Sequence, residues 1–359
     1  MNITFLIGNG FDRNLGLATA YSDFIKEYKK VEGTTETLQK FNKHIKENEE
    51  MWSVAEMALG KFTEEFEMGE AEKFSECHAD LCESLATYLK KQEERIDYKF
   101  SKEKIEKAFS KINEIIKSFP VEEYANIYEL YKKKQNEYIK FNFITFNYTQ
   151  TVDKCVEILR QTPGILGSHT FRNEKLAHIL GDIIHIHGTV DKEMIFGVND
   201  DTQISKNEIF DCEDGDLYKG LLIKQTANAS YLENTDSKGA RVINESHIIY
   251  VYGMSIGQTD KLWWDRICKW LNASGERHLI VYKYEAPAKG VFPIKYQLFE
   301  RRSRKEITSY CDLDINAKTN IEKRIHIATD NIFDEIKNIA EDSVAKDMHK
   351  KVEKMISVS

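Results

Sequence analysis

The sequence predicts an α/β fold of the Rossmann-like kind, a mostly parallel sheet carrying a large helical insertion. Three observations point there. Short apolar runs of strand length end in glycine or a small polar residue, as buried parallel strands do when they feed a turn. Helical patterns separate several of these runs, as crossover connections require. Residues 33–137, between the first run and the second, carry helical periodicity alone.

The first run is Ile3-Thr4-Phe5-Leu6-Ile7, ending at Gly8; the next is 141–146, followed by 183–187, 194–198, 247–252, 279–283 and 325–328. Within the long gap, Leu38, Phe41 and Ile45 recur at helical spacing, as do Leu59, Phe62 and Phe66, then Phe74, Cys77, Leu81, Leu85 and Tyr88. Ile105, Phe109, Ile112 and Ile116 follow, with Pro120 as a breaker. The expected organisation is a discontinuous α/β sheet domain over 1–32 and 138–335. The helical insertion 33–137 packs on or caps its sheet, and a helical tail covers 336–359. Beyond about residue 332 the chain reads as a charged helix that frays. Thr19 is placed to cap a helix carrying Tyr21, Phe24, Ile25 and Tyr28.

A chain of 359 residues, 41% hydrophobic and 31% charged, can bury a large core, which excludes low-complexity disorder. The net charge of −8 argues against sequence-independent duplex binding, which needs a concentrated cationic face. Lys132-Lys133-Lys134 and Arg301-Arg302-x-Arg304-Lys305 read as solvated faces, so nucleic acid is not an expected partner. Cysteines 77, 82, 155, 212, 268 and 311 form no Cys-x-x-Cys pair, which leaves neither a zinc ribbon nor a thioredoxin motif; free buried thiols are expected. No apolar run approaches the roughly 20 residues that span a bilayer, and the N-terminus lacks a signal-peptide pattern. A cytoplasmic protein is expected.

Gly8-x-Gly10 directly after a buried strand outlines a phosphate-binding turn, in which backbone N–H groups approach an anion. The third glycine of the dinucleotide fingerprint is missing, and Asp12 stands close by. Asn14-Leu15-Gly16-Leu17 delays the following helix and leaves a pocket mouth open over the strand end. Asn147 should project at the carboxyl end of the second strand, either into a site or as a turn asparagine bonding its own backbone. In Ile184-His185-Ile186-His187-Gly188, strand alternation puts His185 and His187 on one face. Gly197-Val198-Asn199-Asp200 and Gly253-Met254-Ser255-Ile256 repeat the pattern, and parallel strands would gather all these termini along one crevice. Trp52, Glu56, Leu59 and Thr63 share a helical face, so Glu56 is either paired or reaches that crevice. His185 and His187 with Asp182, Asp191 and Asp200 could serve a metal-dependent nuclease or phosphoesterase, but the spacing matches no strong metal motif and no metal ligand set is assigned. A non-catalytic nucleotide sensor and a purely structural interaction protein are the other rivals.

Taken in order, Ile7-Gly8-Asn9-Gly10-Phe11-Asp12, Gly16-Leu17-x-Thr19-x-Tyr21-x-Asp23-Phe24, Phe146-Asn147-Tyr148-Thr149, His185-Ile186-His187-Gly188, Gly197-Val198-Asn199-Asp200 and Gly253-x-Ser255-x(4)-Asp260 resemble the bacteriophage abortive-infection AbiH family. The resemblance runs from about residue 3 to 265, and Trp52 with Glu56 resembles that family's tryptophan–acid pair. More distantly the set is similar to the sirtuin-like NAD-binding fold, whose asparagine falls at Asn147 and histidine-glycine at His187-Gly188. Thr149 stands where that pattern has aspartate, and its four zinc cysteines are missing, which argues against a protein deacylase. The resemblance implies antiphage defence by NAD+ hydrolysis, with NAD+ as substrate or ligand, no prosthetic group, and a phage-derived trigger. It implies catalytic roles for His187 and Asn147. It implies nucleotide contacts from Gly8, Asn9, Gly10, Asp12, Thr19, Asp23, Thr149, His185, Gly253 and Ser255, and Glu56 as a further carboxylate. A homo-oligomer is left open. His187, with its ordinary near-neutral pKa, suits water activation as nicotinamide departs from an oxocarbenium-like ribose.

Overall fold

The computed structural model describes residues 1–28, 34–117, 119–230, 234–287 and 293–346. Within them lie strands β1 (Asn2–Ile7), β2 (Lys140–Thr145), β3 (Ser168–Phe171), β4 (Glu174–Ala177), β5 (Ile179–His185), β6 (Ile248–Tyr252), β7 (His278–Tyr282) and β8 (Ile325–Ala328). Six form one all-parallel sheet in the order β5-β2-β1-β6-β7-β8, and β3 with β4 makes a separate antiparallel hairpin. The first strand of the chain is thus central, with β2 on one side and β6 on the other. Chain order reverses about β1, the place where α/β sheets open a crevice between diverging loops. Every carboxyl end lies on the same edge, with Ile7 opposite both Thr145 and Tyr252.

Alternation along the strands feeds two cores. Phe5, Ile7, Phe141, Phe143, Tyr250 and Tyr252 face the helices Lys102–Ser110, Val121–Lys133 and Thr151–Arg160. Leu6, Ile144, Ile184, Ile249, Val251 and Leu279 face the helices Thr235–Glu245 and Lys261–Asn272, the second bringing the buried Trp264 and Trp270. Burial on both faces explains why these strands read as nearly continuous apolar runs.

Between β1 and β2 the described residues contain helices and turns and no strand. Their last helices, Lys102–Ser110 and Val121–Lys133, join the sheet's own core. The earlier ones, from Tyr21–Tyr28 through Ala71–Glu93, build a third core around Phe41, Trp52, Phe62 and Phe74. Trp52 is fully buried and meets Phe41 edge-on at 5.3 Å. Phe196, Val198, Phe210 and Leu222, all from beyond β5, complete this layer.

Four expectations change. Residues 194–198 form no strand; Phe196 and Val198 are anchored in the helical layer, and Val198 makes only an isolated bridge to Ile223. Thr19 does not cap the helix Tyr21–Tyr28: Asp23 and Phe24 donate to the Ala20 carbonyl, and the Thr19 hydroxyl turns to Asn9 instead. The chain after residue 332 does not fray as far as it is described. Phe333, Ile336, Ile339 and Ala340 are fully buried, and Asn338 and Ala340 donate to the carbonyls of Asn14 and Leu15. A few apolar residues inside a charged stretch are enough to dock it; the rest of the expected tail, 347–359, lies outside the described residues. Finally, Cys268 and Cys311 are joined in a disulfide rather than free, their Cα atoms 6.0 Å apart, a proximity created by packing across 43 residues of sequence. Cys77, Cys82, Cys155 and Cys212 are free thiols. No helix among the described residues is long and apolar enough to cross a membrane.

Candidate functional site

The edge where the strands end is built first from glycine. Beyond β1, the Gly8 amide donates to the Tyr252 carbonyl and the Gly10 amide to the Gly253 carbonyl, both at 2.9 Å. A methyl group on Gly8 would stand 2.6 Å from the Gly253 carbonyl oxygen. Gly253 itself has φ +68°, a conformation that favours glycine. The glycines therefore let two turns touch, and Gly253 supplies from β6 the third glycine that the linear fingerprint lacks. Both amides are engaged within the fold, so neither N–H group is free to meet an anion. The helix that follows, Gly10–Asn14, is short. Asn9 straps the returning loop: the Thr19 hydroxyl donates to Asn9 Oδ1 at 2.5 Å, and Asn9 Nδ2 donates to the Thr19 carbonyl at 3.1 Å. Asp23 lies apart, 3.8 Å from Lys26 on its own helix.

Asp12 and Asn147 meet beneath this turn. Asp12 is 1% exposed and accepts from the Thr149 and Thr151 hydroxyls, each at 2.6 Å. Burial lifts its pKa to about 6 against the opposing pull of the two hydroxyls, and nearby Glu93 lifts it further. Asn147, also buried, has a carboxamide near enough to help hold the Asp12 carboxyl down, yet its Nδ2 has no partner within hydrogen-bond distance. An unpartnered buried amide is expensive, and this one stands at the carboxyl end of β2.

The two histidines part company. β5 ends at His185, so strand alternation stops there. His185 pairs its Nε2 with Asp153 at 2.7 Å and its Nδ1 with the Asn147 carbonyl at 3.2 Å. His187 instead lies beside the rings of Phe146 and Tyr148, at 5.9 and 6.3 Å. Burial, helped by the charge of Lys224, pushes His187 well below the ordinary histidine range. The near-neutral pKa expected of it does not hold; its surroundings favour the neutral imidazole.

A charged cluster completes the edge. Lys224 Nζ lies 2.6 Å from Glu56 Oε2, with side chains only 7% and 10% exposed. The Tyr21 hydroxyl donates to the other carboxylate oxygen at 2.8 Å. Ser255 donates to Asp260 at 2.5 Å, and burial lifts the Asp260 pKa to about 6, with Ser255 and Lys224 pulling it down and Glu56 pushing it up. The Gly197-Val198-Asn199 segment delivers Lys224: Val198 and Lys224 exchange backbone bonds with Leu222 and Val198, and a methyl on Gly197 would meet the Leu222 carbonyl at 2.0 Å. Asn199 ties the same segment to the Thr259 carbonyl, next to Asp260. Lys224, Tyr21 and Tyr148 were not among the expected site residues. The one signal for Lys224 was indirect, since a glutamate on an apolar helical face requires a cation from somewhere.

The acids once grouped with these histidines are scattered. Asp182 pairs with Lys140, Asp191 with Lys90, and Asp200 caps Thr202. Among the described residues no three His, Cys, Asp or Glu side chains are grouped to hold a metal ion.

No curated protein and no solved structure matches the chain. The family described as bacteriophage abortive infection AbiH matches residues 4–282, from β1 to the end of β7, a span that contains every residue of the site above. The chain belongs to the bacteriophage abortive infection AbiH family.

Proposed function

We propose that this abortive-infection protein acts as an NAD+ glycohydrolase at the carboxyl edge of its sheet. The observation that carries the reading is the placement of Asn147, with its unpartnered amide, and the neutral His187 at the ends of adjacent strands beside the glycine turn of β1. Gly8, Gly10 and Gly253 pack the turn after β1 against the turn after β6, which fixes the backbone floor on which the reading sets the pyrophosphate. In the reaction, the bond between ribose C1′ and the pyridinium nitrogen breaks and its electron pair leaves with nicotinamide, which departs neutral. Water adds to the electron-poor C1′ and yields ADP-ribose, its proton passing to the His187 imidazole and then to solvent. A weakened base suffices, because the oxocarbenium-like centre is itself strongly electrophilic. The Asn147 Nδ2, turned towards Asp12 but beyond hydrogen-bond distance of any partner, would orient the water or a ribose hydroxyl.

The test is release of nicotinamide and ADP-ribose from NAD+ by the full chain, purified from phage-infected and from uninfected cells, so that a trigger has the chance to act. No release by either preparation ends the reading. The low basicity of His187 favours one second reading, a nucleotide sensor using the same edge; it predicts saturable NAD+ binding in calorimetry with no product.

A further inference from the structure

We infer that Glu56 and Lys224 form a recognition pair for a primary carboxamide, the group carried by nicotinamide; the inference rests on the NAD+ reading and extends it to a subsite. Two opposite charges at 2.6 Å, both side chains about nine-tenths buried, are a costly way to fill space between helices. Apolar residues of the same volume would pack there at no such cost. The pair is also held in a set orientation. Tyr21 donates to the far oxygen of Glu56, and the backbone of Lys224 is fixed through Val198.

The chemistry of the pair matches one small group closely. An ammonium carries three N–H donors, and among the described contacts Glu56 is the one acceptor that Lys224 Nζ meets. A primary carboxamide presents a carbonyl acceptor and an N–H donor side by side. Lys224 offers the donor and Glu56 the acceptor at about the same spacing, so one amide can bridge both. The Tyr21 hydroxyl touches the pair directly, and the Tyr148 and His187 rings, in contact with each other at 6.3 Å, lie close enough to feel the charges of Glu56 and Lys224. A carboxylate in the amide's place would set a like charge against Glu56, with Asp260 close behind, and would be rejected.

The experiment titrates the full chain with nicotinamide, nicotinic acid and 3-acetylpyridine, followed by calorimetry or ligand-observed NMR. Nicotinamide is expected to bind at least about tenfold more tightly than nicotinic acid, the range of a charge-assisted hydrogen bond gained or lost. 3-Acetylpyridine keeps the carbonyl and loses the N–H donors, so it should also bind about tenfold more weakly, a test that leaves the fold untouched. The double variant Glu56→Leu/Lys224→Met removes both charges together and should bring nicotinamide and nicotinic acid within about threefold. No saturable nicotinamide binding, equal affinity for all three ligands, or a preference that survives in a folded double variant overturns the inference. Selective nicotinamide binding by a protein that leaves NAD+ intact removes the hydrolase reading and sustains the subsite; hydrolysis without selectivity does the reverse.

Discussion

Gly10 and Gly253 touch backbone to backbone: a methyl group on Gly10 would stand 2.4 Å from the Cα of Gly253, and one on Gly253 would stand 2.6 Å from the Cα of Gly10. Because rigid backbone faces rigid backbone, neither can yield as a flexible side chain would. Gly10→Ala and Gly253→Ala should each destabilise the fold by about 1–3 kcal/mol, with Gly253→Ala the worse because of its positive φ. Their effects should be less than additive, since either change already separates the same two turns. Urea midpoints of the single and double variants decide this; unchanged midpoints would mean that the turns part freely.

His187→Ala should reduce nicotinamide release by about 10²–10⁴-fold, the usual loss on removing a positioned base. Its ring packs beside Phe146 and Tyr148, so the circular dichroism and melting curve of the variant must match the parent before the loss is assigned to chemistry. Chelators should leave the reaction unchanged, because a pyridinium leaves without a Lewis acid. A variant as active as the parent would remove His187 from the mechanism.

Stability should separate the members of the buried ion pair. Lys224→Met alone strands the Glu56 carboxylate in a site where it is about nine-tenths buried, and should cost about 3–5 kcal/mol. Adding Glu56→Leu should recover most of that loss. If the single and double variants melted alike, the two groups would not be coupled in solution.

Asp12 gives the protein a pH signature of unusual sign. Burial raises its folded pKa from 3.8 to about 6, so between those values the folded state holds a proton that the unfolded chain has lost. Stability is therefore greatest below the unfolded value and falls as pH rises towards 6, by roughly 3 kcal/mol at most from this group. Asp260 is lifted to about 6 as well and adds a decline in the same window. Asp12→Asn can still bond both Thr149 and Thr151 and cannot ionise, so its stability should fall less between pH 4 and 7. Parallel curves for parent and variant, from urea melts across that range, would refute the assignment.

The features readable in sequence were those set by local pattern. The runs at Ile3–Ile7 and 141–146 are strands because both faces are buried, and that burial writes itself as unbroken hydrophobicity. The same reasoning misread 194–198, since Phe196 and Val198 are equally apolar but serve a helical core that only the fold assembles. The hairpin β3–β4 escaped because its strands are short and mostly exposed; its turn, with positive φ at Arg172 and Asn173, is the local clue. At the site, Asn147 and His187 each lie two residues past the end of a strand, and the alternation that put His185 and His187 on one face fails because β5 stops at His185. Lys224 carried no mark: a lysine after Leu221-Leu222-Ile223 becomes a partner of Glu56 only when the bridge between Val198 and Ile223 brings the two segments together. Gly253 was recognisable as a turn, but not as the surface against which Gly10 lies.

The central position of β1 has a consequence for how the protein is made. β1 is synthesised before both of its sheet neighbours, β2 and β6, and its glycine turn closes on Tyr252 and Gly253. At translation rates of about 5–20 residues per second, the nascent chain carries that turn unmated for many seconds. Nor can an interrupted product ending before β6 assemble the edge where Gly8, Asn147 and His187 are gathered. The order of the strands thus delays the site: the turn at Gly8 waits for Gly253, which follows it by 245 residues.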